Sequence, residues 1–118
     1  MNIPTDNPLF VIPISTGIVF VVVGFIMLKF PPKKINSLYG YRTASSMKNQ
    51  ERWDFAQLYS AKEMIKLGII LGVSGLLGFI LHLNDKTATL IGISYMIVLV
   101  IVLLIRVEYA IKKKFNSA

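Results

Sequence analysis

The side chains that could take part in chemistry are concentrated in one polar segment, residues 31–62, between two apolar stretches. Arg42 stands out there, because its planar guanidinium can hold a phosphate or a carboxylate through two parallel hydrogen bonds. Tyr39 and Tyr41 flank Gly40 beside it, and amphipathic rings of this kind favour a membrane interface. Gly40 allows a positive φ or a close backbone approach. We expect a turn here in which Arg42 binds an anionic group, pairs with a lipid phosphate or caps a helix C-terminus.

Catalysis is not expected from this segment. It contains Glu51, Asp54 and Ser46, but no base–nucleophile pair is evident among them. Carboxylates that lie beside cations on a helix are usually solvated ion pairs. The chain has no cysteine, so it offers no thiolate ligand or nucleophile. Its one histidine, His82, is interpreted as an interfacial residue, and we expect neither a metal nor another cofactor.

The composition predicts that this segment is held by membrane helices. Of the 118 residues, 54% are hydrophobic and only 16% are charged, against about 25% charged in a typical soluble domain. Three apolar runs approach the roughly 20 residues that a helix needs to cross a bilayer, and backbone groups in lipid must pair within their own helix. We therefore expect a single all-α integral membrane domain over residues 1–118, with transmembrane helices at about 8–29, 64–83 and 88–106.

The first run is expected to remain as a membrane helix and not to be cleaved as a signal peptide. Asp6 precedes it without any Lys or Arg, and Phe30-Pro31-Pro32 is not a small-residue cleavage site. No ionisable side chain lies in the middle of any predicted span. Since such groups mark ion and proton paths, a transporter or channel acting alone is not expected.

The distribution of charge predicts the orientation. The net charge of +7 comes from cations at the ends of the apolar runs, which is typical of a protein beside anionic lipid headgroups and does not indicate a nucleic-acid partner. Most cations fall in the loop and helix at residues 31–63 or in a basic tail at 107–118, whereas the opposite side offers only Lys86 and the N-terminal amine. The positive-inside rule then places the loop and the C-terminus in the cytoplasm and the N-terminus outside.

A helix is expected within the loop, beginning at Ser45 or Ser46 as N-cap and running into the second span. Spacing at 100° per residue gives one charged half: Lys48, Glu51, Arg52, Asp54, Lys62 and Glu63. The other half is polar and aromatic: Asn49, Trp53, Ala56, Gln57, Ser60 and Met64. A helix lying on a membrane surface would show Leu and Phe there. We expect this face to pack against the turn at residues 36–43, with Asn49 and Gln57 bonding its backbone, or alternatively to bind a ligand or partner.

These loop residues also carry a family resemblance. Their spacing, N-x2-YGYRT-x2-SM-x-N-x3-W-x2-A, resembles the signature of the SdpI family of bacterial membrane proteins, named for immunity to a sporulation-delay toxin. The resemblance implies a short, multi-pass form that carries only the C-terminal-type module and lies in the bacterial cytoplasmic membrane. It also implies protection against a secreted toxic peptide, together with signalling through a membrane-held repressor. The candidate residues for binding a partner or headgroup are Asn36, Tyr39, Gly40, Tyr41, Arg42, Thr43, Ser46, Asn49, Trp53 and Gln57.

Two functional hypotheses follow. The first is a non-catalytic membrane protein that gives immunity to a membrane-active peptide or serves as an accessory subunit of a larger membrane complex. The alternative is an interfacial binder or enzyme that acts on anionic lipid headgroups through the YGYRT loop. The small-x3-small pairs of the second span permit close helix packing, within the monomer or in a homo-oligomer: Gly68 with Gly72, and Ser74 with Gly78.

Overall fold

The computed structural model describes residues 6–115 and contains three α-helices. They are α1 (Pro8–Lys29), α2 (Gln50–Gly78) and α3 (Asp85–Phe115). The predicted all-α class is confirmed for the described part of the chain. Two of these helices, α1 and α3, are long and apolar enough to cross a membrane.

The first helix begins and ends where its polar and proline residues predict. Asn7 is the N-cap, and its side chain accepts a hydrogen bond from the Leu9 N–H at 3.0 Å. Pro8 follows at the first helical position, where a missing N–H costs nothing. At the other end the helix stops before Pro31, since the residue preceding a proline avoids helical backbone angles.

The second helix begins later than predicted. The expected start at Ser45 or Ser46 is wrong, because α2 begins at Gln50 with Asn49 as its N-cap. The Asn49 side chain accepts from the Arg52 N–H at 2.9 Å. Ser46 is not free to cap a helix, because its hydroxyl belongs to the preceding turn, which is described below.

The second and third helices also differ in length from the predicted spans. Helix α2 ends at Gly78, short of the predicted boundary near residue 83, and the Asn7 amide donates to the Gly78 carbonyl at 3.1 Å. This bond satisfies one of the carbonyls that a helix end leaves free. Helix α3 continues to Phe115, so the described part of the predicted basic tail is helical.

Helices α1 and α2 are antiparallel and approach closely at glycines. A Cβ on Gly17 would lie 2.6 Å from the Gly68 carbonyl oxygen, and one on Gly68 would lie 2.7 Å from the Gly17 carbonyl oxygen. Further along, Gly24 faces the Ala61 carbonyl, and Gly78 packs on the Leu9 backbone. Two of the small residues considered for oligomerisation, Gly68 and Gly78, are therefore buried against α1.

The third helix completes the bundle and runs parallel to α1. The Ser74 hydroxyl on α2 lies 2.5 Å from the Tyr95 hydroxyl on α3. Gly92 of α3 packs on Ile12 of α1. Large apolar side chains remain exposed on the outer surfaces of all three helices: Ile18, Val22, Phe25, Ile69, Val73, Leu77, Leu90, Val98 and Ile105. Apolar surface of this extent indicates contact with lipid or with another protein.

Candidate functional site: a polar cap at one end of the bundle

The candidate site is the end of the bundle formed by the loop at residues 30–49, the first half of α2 and the last turns of α3, here called the polar cap. Trp53 on α2 anchors the start of the loop. Its side chain is fully buried, and its indole N–H donates to the Pro32 carbonyl at 2.6 Å. A buried indole usually finds such a partner. This contact fixes where the chain turns after α1.

Gln57, one turn further along α2, holds the main chain of the loop. Its Oε1 accepts from the Tyr41 N–H at 2.7 Å, and its Nε2 donates to the Tyr41 carbonyl at 2.8 Å. The predicted packing of this face against the turn is confirmed for Gln57. It is wrong for Asn49, whose side chain caps α2.

The backbone next to Tyr41 depends on the glycine that precedes it. Gly40 has a φ of 107°, which confirms the conformational role predicted for it. A Cβ at this position would lie 2.5 Å from Gln57 Oε1 and 2.7 Å from Pro32 Cγ. A side chain at position 40 would therefore strain the backbone and clash with Gln57 and Pro32.

Two polar side chains shape the rest of the loop. Asn36 Oδ1 accepts from the N–H groups of Leu38 and Tyr39, at 2.9 and 2.7 Å. Ser46 is fully buried, and its hydroxyl lies 3.0 Å from the Tyr41 carbonyl and accepts from the Thr43 N–H at 2.9 Å. Both residues act on the loop's own backbone.

Glu108 connects the loop to α3. Its Oε2 accepts from the Tyr41 hydroxyl at 2.7 Å and from the Thr43 hydroxyl at 2.9 Å. Burial, together with the neighbouring Glu108 carboxylate, raises the pKa of Tyr41, so the phenol stays a donor. Sequence reasoning missed Glu108. The available signal was that it is the single acidic residue in an otherwise basic stretch after Arg106.

An ion pair joins α2 to α3 beneath the loop. Arg106 Nε and Nη2 each lie 3.0 Å from a different carboxylate oxygen of Glu63, so the pair is bidentate. Glu63 is only 3% exposed. Glu63 belongs to the charged half of the helix that the periodicity predicts, and α3 packs across it there. Lys66 contributes a longer contact of 3.6 Å to the same carboxylate.

The residues considered for headgroup binding do not form one cluster. Arg42 is exposed, and its Nη1 donates to the Ser37 carbonyl. The Tyr39 hydroxyl donates to the Phe30 carbonyl at 2.7 Å, whereas the Tyr41 hydroxyl is bound to Glu108. Binding of a headgroup or partner through these side chains stays a prediction.

A cavity lies at the junction of α1 and the polar cap. It has a volume of about 430 Å³ and is lined mainly by Met27, Leu28, Pro31, Pro32 and Leu58, with Gln50 and Asp54 among its polar residues. Among residues 6–115, no group of three or more acidic or histidine side chains is arranged to hold a metal ion. The lining of the cavity combines apolar side chains with a few polar ones.

Comparison with known proteins places this architecture in a family. The model of the SdpI/YfhL protein family matches residues 33–107, which are more than half of the chain. The chain is 46% identical over 61 residues to the uncharacterized protein YfhL of Bacillus subtilis (strain 168). That alignment covers 52% of this chain and 56% of the relative, so the chain spans little more than half of the relative's length. No solved structure matches the chain. The resemblance found in the loop is confirmed, and this membrane protein belongs to the SdpI/YfhL family.

Proposed function

We propose that this protein is a non-catalytic, three-span protein of the bacterial cytoplasmic membrane that protects its cell against a membrane-active peptide. The observation that carries the proposal is the family match, which encloses most of the loop, all of α2 and most of α3. The matched range thus includes most of the loop and the first half of α2, which belong to the polar cap.

The packing of α2 supports a third membrane span. At 1.5 Å per residue, α1 is about 33 Å long, close to the thickness of a bilayer's hydrocarbon core. Helix α2 follows it from the contact of Gly78 with Leu9 to that of Ala61 with Gly24. We infer that a helix lying against a spanning helix over this length crosses the same apolar layer. Its exposed Ile69, Val73 and Leu77 side chains suit a lipid environment.

The same packing supports the orientation. The loop, the start of α2 and the end of α3 lie together in the polar cap, and this end carries most of the Lys and Arg residues. The positive-inside rule places this end in the cytoplasm. The N-terminus of α1 and the connection at residues 79–84 then face the outside.

A binding role fits the polar cap better than chemistry does. Every buried side-chain nitrogen or oxygen in the described part of the chain has a hydrogen-bond partner. A fully satisfied polar network stiffens the structure that carries it. We propose that the polar cap keeps the three helices in a fixed arrangement, and that this arrangement binds the toxic peptide or a membrane-protein partner.

Deletion of the gene tests the protective role. We expect the deletion strain to lose survival against at least one peptide in a panel of membrane-active peptides, and the wild-type gene to restore it. A Gly40→Val gene should fail to restore survival, whereas a Gly72→Ala gene should succeed, since a Cβ there meets nothing within 4 Å. Unchanged survival across the panel would argue against immunity. Recovery of a stoichiometric membrane protein in mild detergent would then support the accessory-subunit form.

The exposure of Arg42 favours one second candidate, the binding of anionic headgroups through residues 39–43. The Arg42→Ala protein should then bind anionic vesicles less selectively than the wild type. Unaltered selectivity would remove this candidate.

A further inference from the structure

Among the large apolar side chains that the structure describes, Leu38 is the most exposed, at 89%. Hydrogen bonds hold it in this position: Asn36 Oδ1 accepts from the N–H groups of Leu38 and Tyr39, and Asn36 Nδ2 donates to the Lys34 carbonyl at 2.9 Å. A single exposed leucine is ordinary on a protein surface. What distinguishes Leu38 is its place relative to α1.

The loop turns back toward the apolar part of the bundle before it reaches the start of α2. Two sets of hydrogen bonds give its level along the bundle. The Trp53 indole binds the Pro32 carbonyl, and Gln57 binds the backbone of Tyr41. Gln57 lies four residues further into α2 than Trp53, which is about 6 Å along the helix axis. Between Pro32 and Tyr41 the chain therefore returns by about one helical turn.

The level of Gln57 corresponds to the last turn of α1. A Cβ on Gly24 would lie 2.9 Å from the Ala61 carbonyl oxygen. Because the two helices are antiparallel, Gln57, four residues before Ala61, lies level with Leu28, four residues after Gly24.

Two further observations place residues 39–41 beside α1. A cavity of about 220 Å³ has a lining shared by the loop, α1 and α2: Val23, Met27, Tyr39, Gly40, Tyr41, Ser60 and Met64. The Tyr39 hydroxyl donates to the carbonyl of Phe30, the residue that follows α1. The turn that carries Leu38 is therefore beside the end of α1 and not stacked beyond it.

The chain on either side of Leu38 has the composition of a membrane interface. The Phe30 side chain is 63% exposed, and Ile35 is exposed as well. Lys29, Lys33 and Lys34 are exposed cations in the same segment. Lysines next to exposed apolar side chains suit a lipid leaflet, because the ammonium groups reach the phosphates while the apolar groups enter the acyl region. This combination of charges favours lipid over a protein partner as the group that covers Leu38.

We propose that the turn at residues 36–39 inserts Leu38 into the lipid leaflet beside the end of α1, with Lys33 and Lys34 at the level of the phosphates. Helix α1 has no charged residue from Pro8 to Leu28. A side chain beside its last turn therefore meets the boundary between acyl chains and headgroups. The insertion uses an apolar side chain, so it does not require Arg42. It rests on the membrane position of α1 and not on the protective role.

The test attaches the environment-sensitive fluorophore NBD to single cysteines of the full chain in phosphatidylcholine nanodiscs. Leu38→Cys reports on the turn, Ile18→Cys marks the middle of α1, and Lys48→Cys marks the water. Quenching by iodide in the water is compared with quenching by nitroxides attached either high or low on the lipid acyl chain. We expect the Leu38 label to be quenched most by the high nitroxide, the Ile18 label most by the low one and the Lys48 label mainly by iodide.

The three labels separate failure of the insertion from failure of the membrane position. Iodide quenching of the Leu38 label as strong as that of the Lys48 label would overturn the insertion, while the Ile18 label still placed α1 in the membrane. Strong iodide quenching at Ile18 as well would overturn the position of α1 and the insertion with it. A Leu38 label shielded from iodide and from both nitroxides would show that protein covers this side chain, which would also overturn the proposal.

The thiols themselves give a second measurement, which is needed because NBD is itself partly apolar. A thiolate is the form that reacts with maleimide, and apolar surroundings raise the pKa of a thiol. We expect unlabelled Leu38→Cys to react with a hydrophilic maleimide at least about 10-fold more slowly than Lys48→Cys in the same nanodiscs. Equal rates would overturn the insertion. Because the Leu38 side chain makes few contacts within the protein, neither Leu38 variant is expected to disturb the fold.

Discussion

At the scale of single residues, Tyr41 connects the loop to both neighbouring helices of the polar cap. Its backbone N–H and carbonyl are both bound by Gln57, and its hydroxyl is bound by Glu108. One loop residue thus joins a side chain of α2 to a side chain of α3. The loop therefore contributes hydrogen bonds that hold α2 and α3 together.

Gly40→Ala should destabilise the protein. An alanine at position 40 would have to adopt a φ of 107°, and its Cβ would lie 2.5 Å from Gln57 Oε1. We therefore expect the free energy of unfolding to fall by about 1–3 kcal/mol. Denaturant unfolding in detergent measures this change. Gly72→Ala is the matched control, because its Cβ meets nothing within 4 Å and alanine stabilises a helix by up to about 1 kcal/mol. Equal effects of the two changes would contradict the assigned role of Gly40.

Tyr41→Phe should lower the stability of the protein at neutral pH and should alter how that stability changes with pH in the alkaline range. Loss of the hydrogen bond to Glu108 should lower the free energy of unfolding by about 1–2 kcal/mol. Because the pKa of Tyr41 is raised in the folded state, the neutral phenol makes its full contribution to the free energy of unfolding below the ordinary tyrosine pKa of 10.0. This contribution is lost as the pH rises above that value.

The measurement for Tyr41 is the unfolding midpoint between about pH 9 and about pH 11, where tyrosine in the unfolded chain ionises. The wild-type midpoint should fall more steeply than that of Tyr41→Phe over this range. Tyr109→Phe, which alters a ring that is 66% exposed, serves as the control and should behave like the wild type. Parallel curves for Tyr41→Phe and the wild type would refute this account of the phenol.

Sequence reasoning identified residues whose roles are local and missed those whose partners come from another helix. A glycine between two tyrosines predicts a special backbone angle, and an uncharged helical face containing Gln57 predicts contact with protein. Periodicity assigned Glu63 and Arg52 to a charged half of the helix, but both residues are buried, because periodicity does not show what packs on a face. Glu108 had a compositional signal, but its partners Tyr41 and Thr43 are more than 60 positions away in the chain.

At the scale of elements, α2 combines two kinds of helix in one. Its first half carries the buried polar residues of the cap, and its second half is apolar with glycines that pack on α1. Its apolar second half was predictable from composition. Its start at Gln50 was not predictable, because Ser45, Ser46 and Asn49 are all acceptable N-caps. In the structure the Ser46 hydroxyl is bound to Tyr41 and Thr43 of the preceding turn.

The ion pair between α2 and α3 should contribute more than its exposed neighbour. Arg106→Gln removes both hydrogen bonds to the buried Glu63 carboxylate, whereas Lys66→Gln removes one contact of 3.6 Å made by a side chain that is 65% exposed. We expect the thermal unfolding midpoint to fall clearly in Arg106→Gln and to change little in Lys66→Gln. Both changes remove one positive charge, so an equal fall in both would attribute the effect to net charge and not to the ion pair.

At the scale of the whole molecule, the buried polar and charged residues of the described chain lie at one end of the bundle. At the end that holds Asn7 and in the middle, helices meet mainly through glycine and aliphatic side chains, such as Gly17 on Gly68. Hydrogen bonds there join Asn7 to Gly78 and Ser74 to Tyr95. At the other end they meet through Gln57, Glu63 and Glu108. The hydrogen bonds of the polar cap fix the register of the helices there, while close glycine contacts keep α1 and α2 together along the apolar part of the bundle.

The proposed three-span arrangement predicts which residues share a side of the membrane. The sequence contains no cysteine, so single introduced cysteines can be labelled selectively. Single cysteines replace Lys48, His82 and Lys113, and intact cells are treated with a maleimide that cannot cross the membrane. If α2 spans, His82→Cys is labelled at once, whereas Lys48→Cys and Lys113→Cys react only after permeabilisation. If only α1 and α3 span, positions 48 and 82 must share one side and position 113 must lie on the other. Such a pairing would overturn the third span, and labelling of position 48 in intact cells would reverse the orientation.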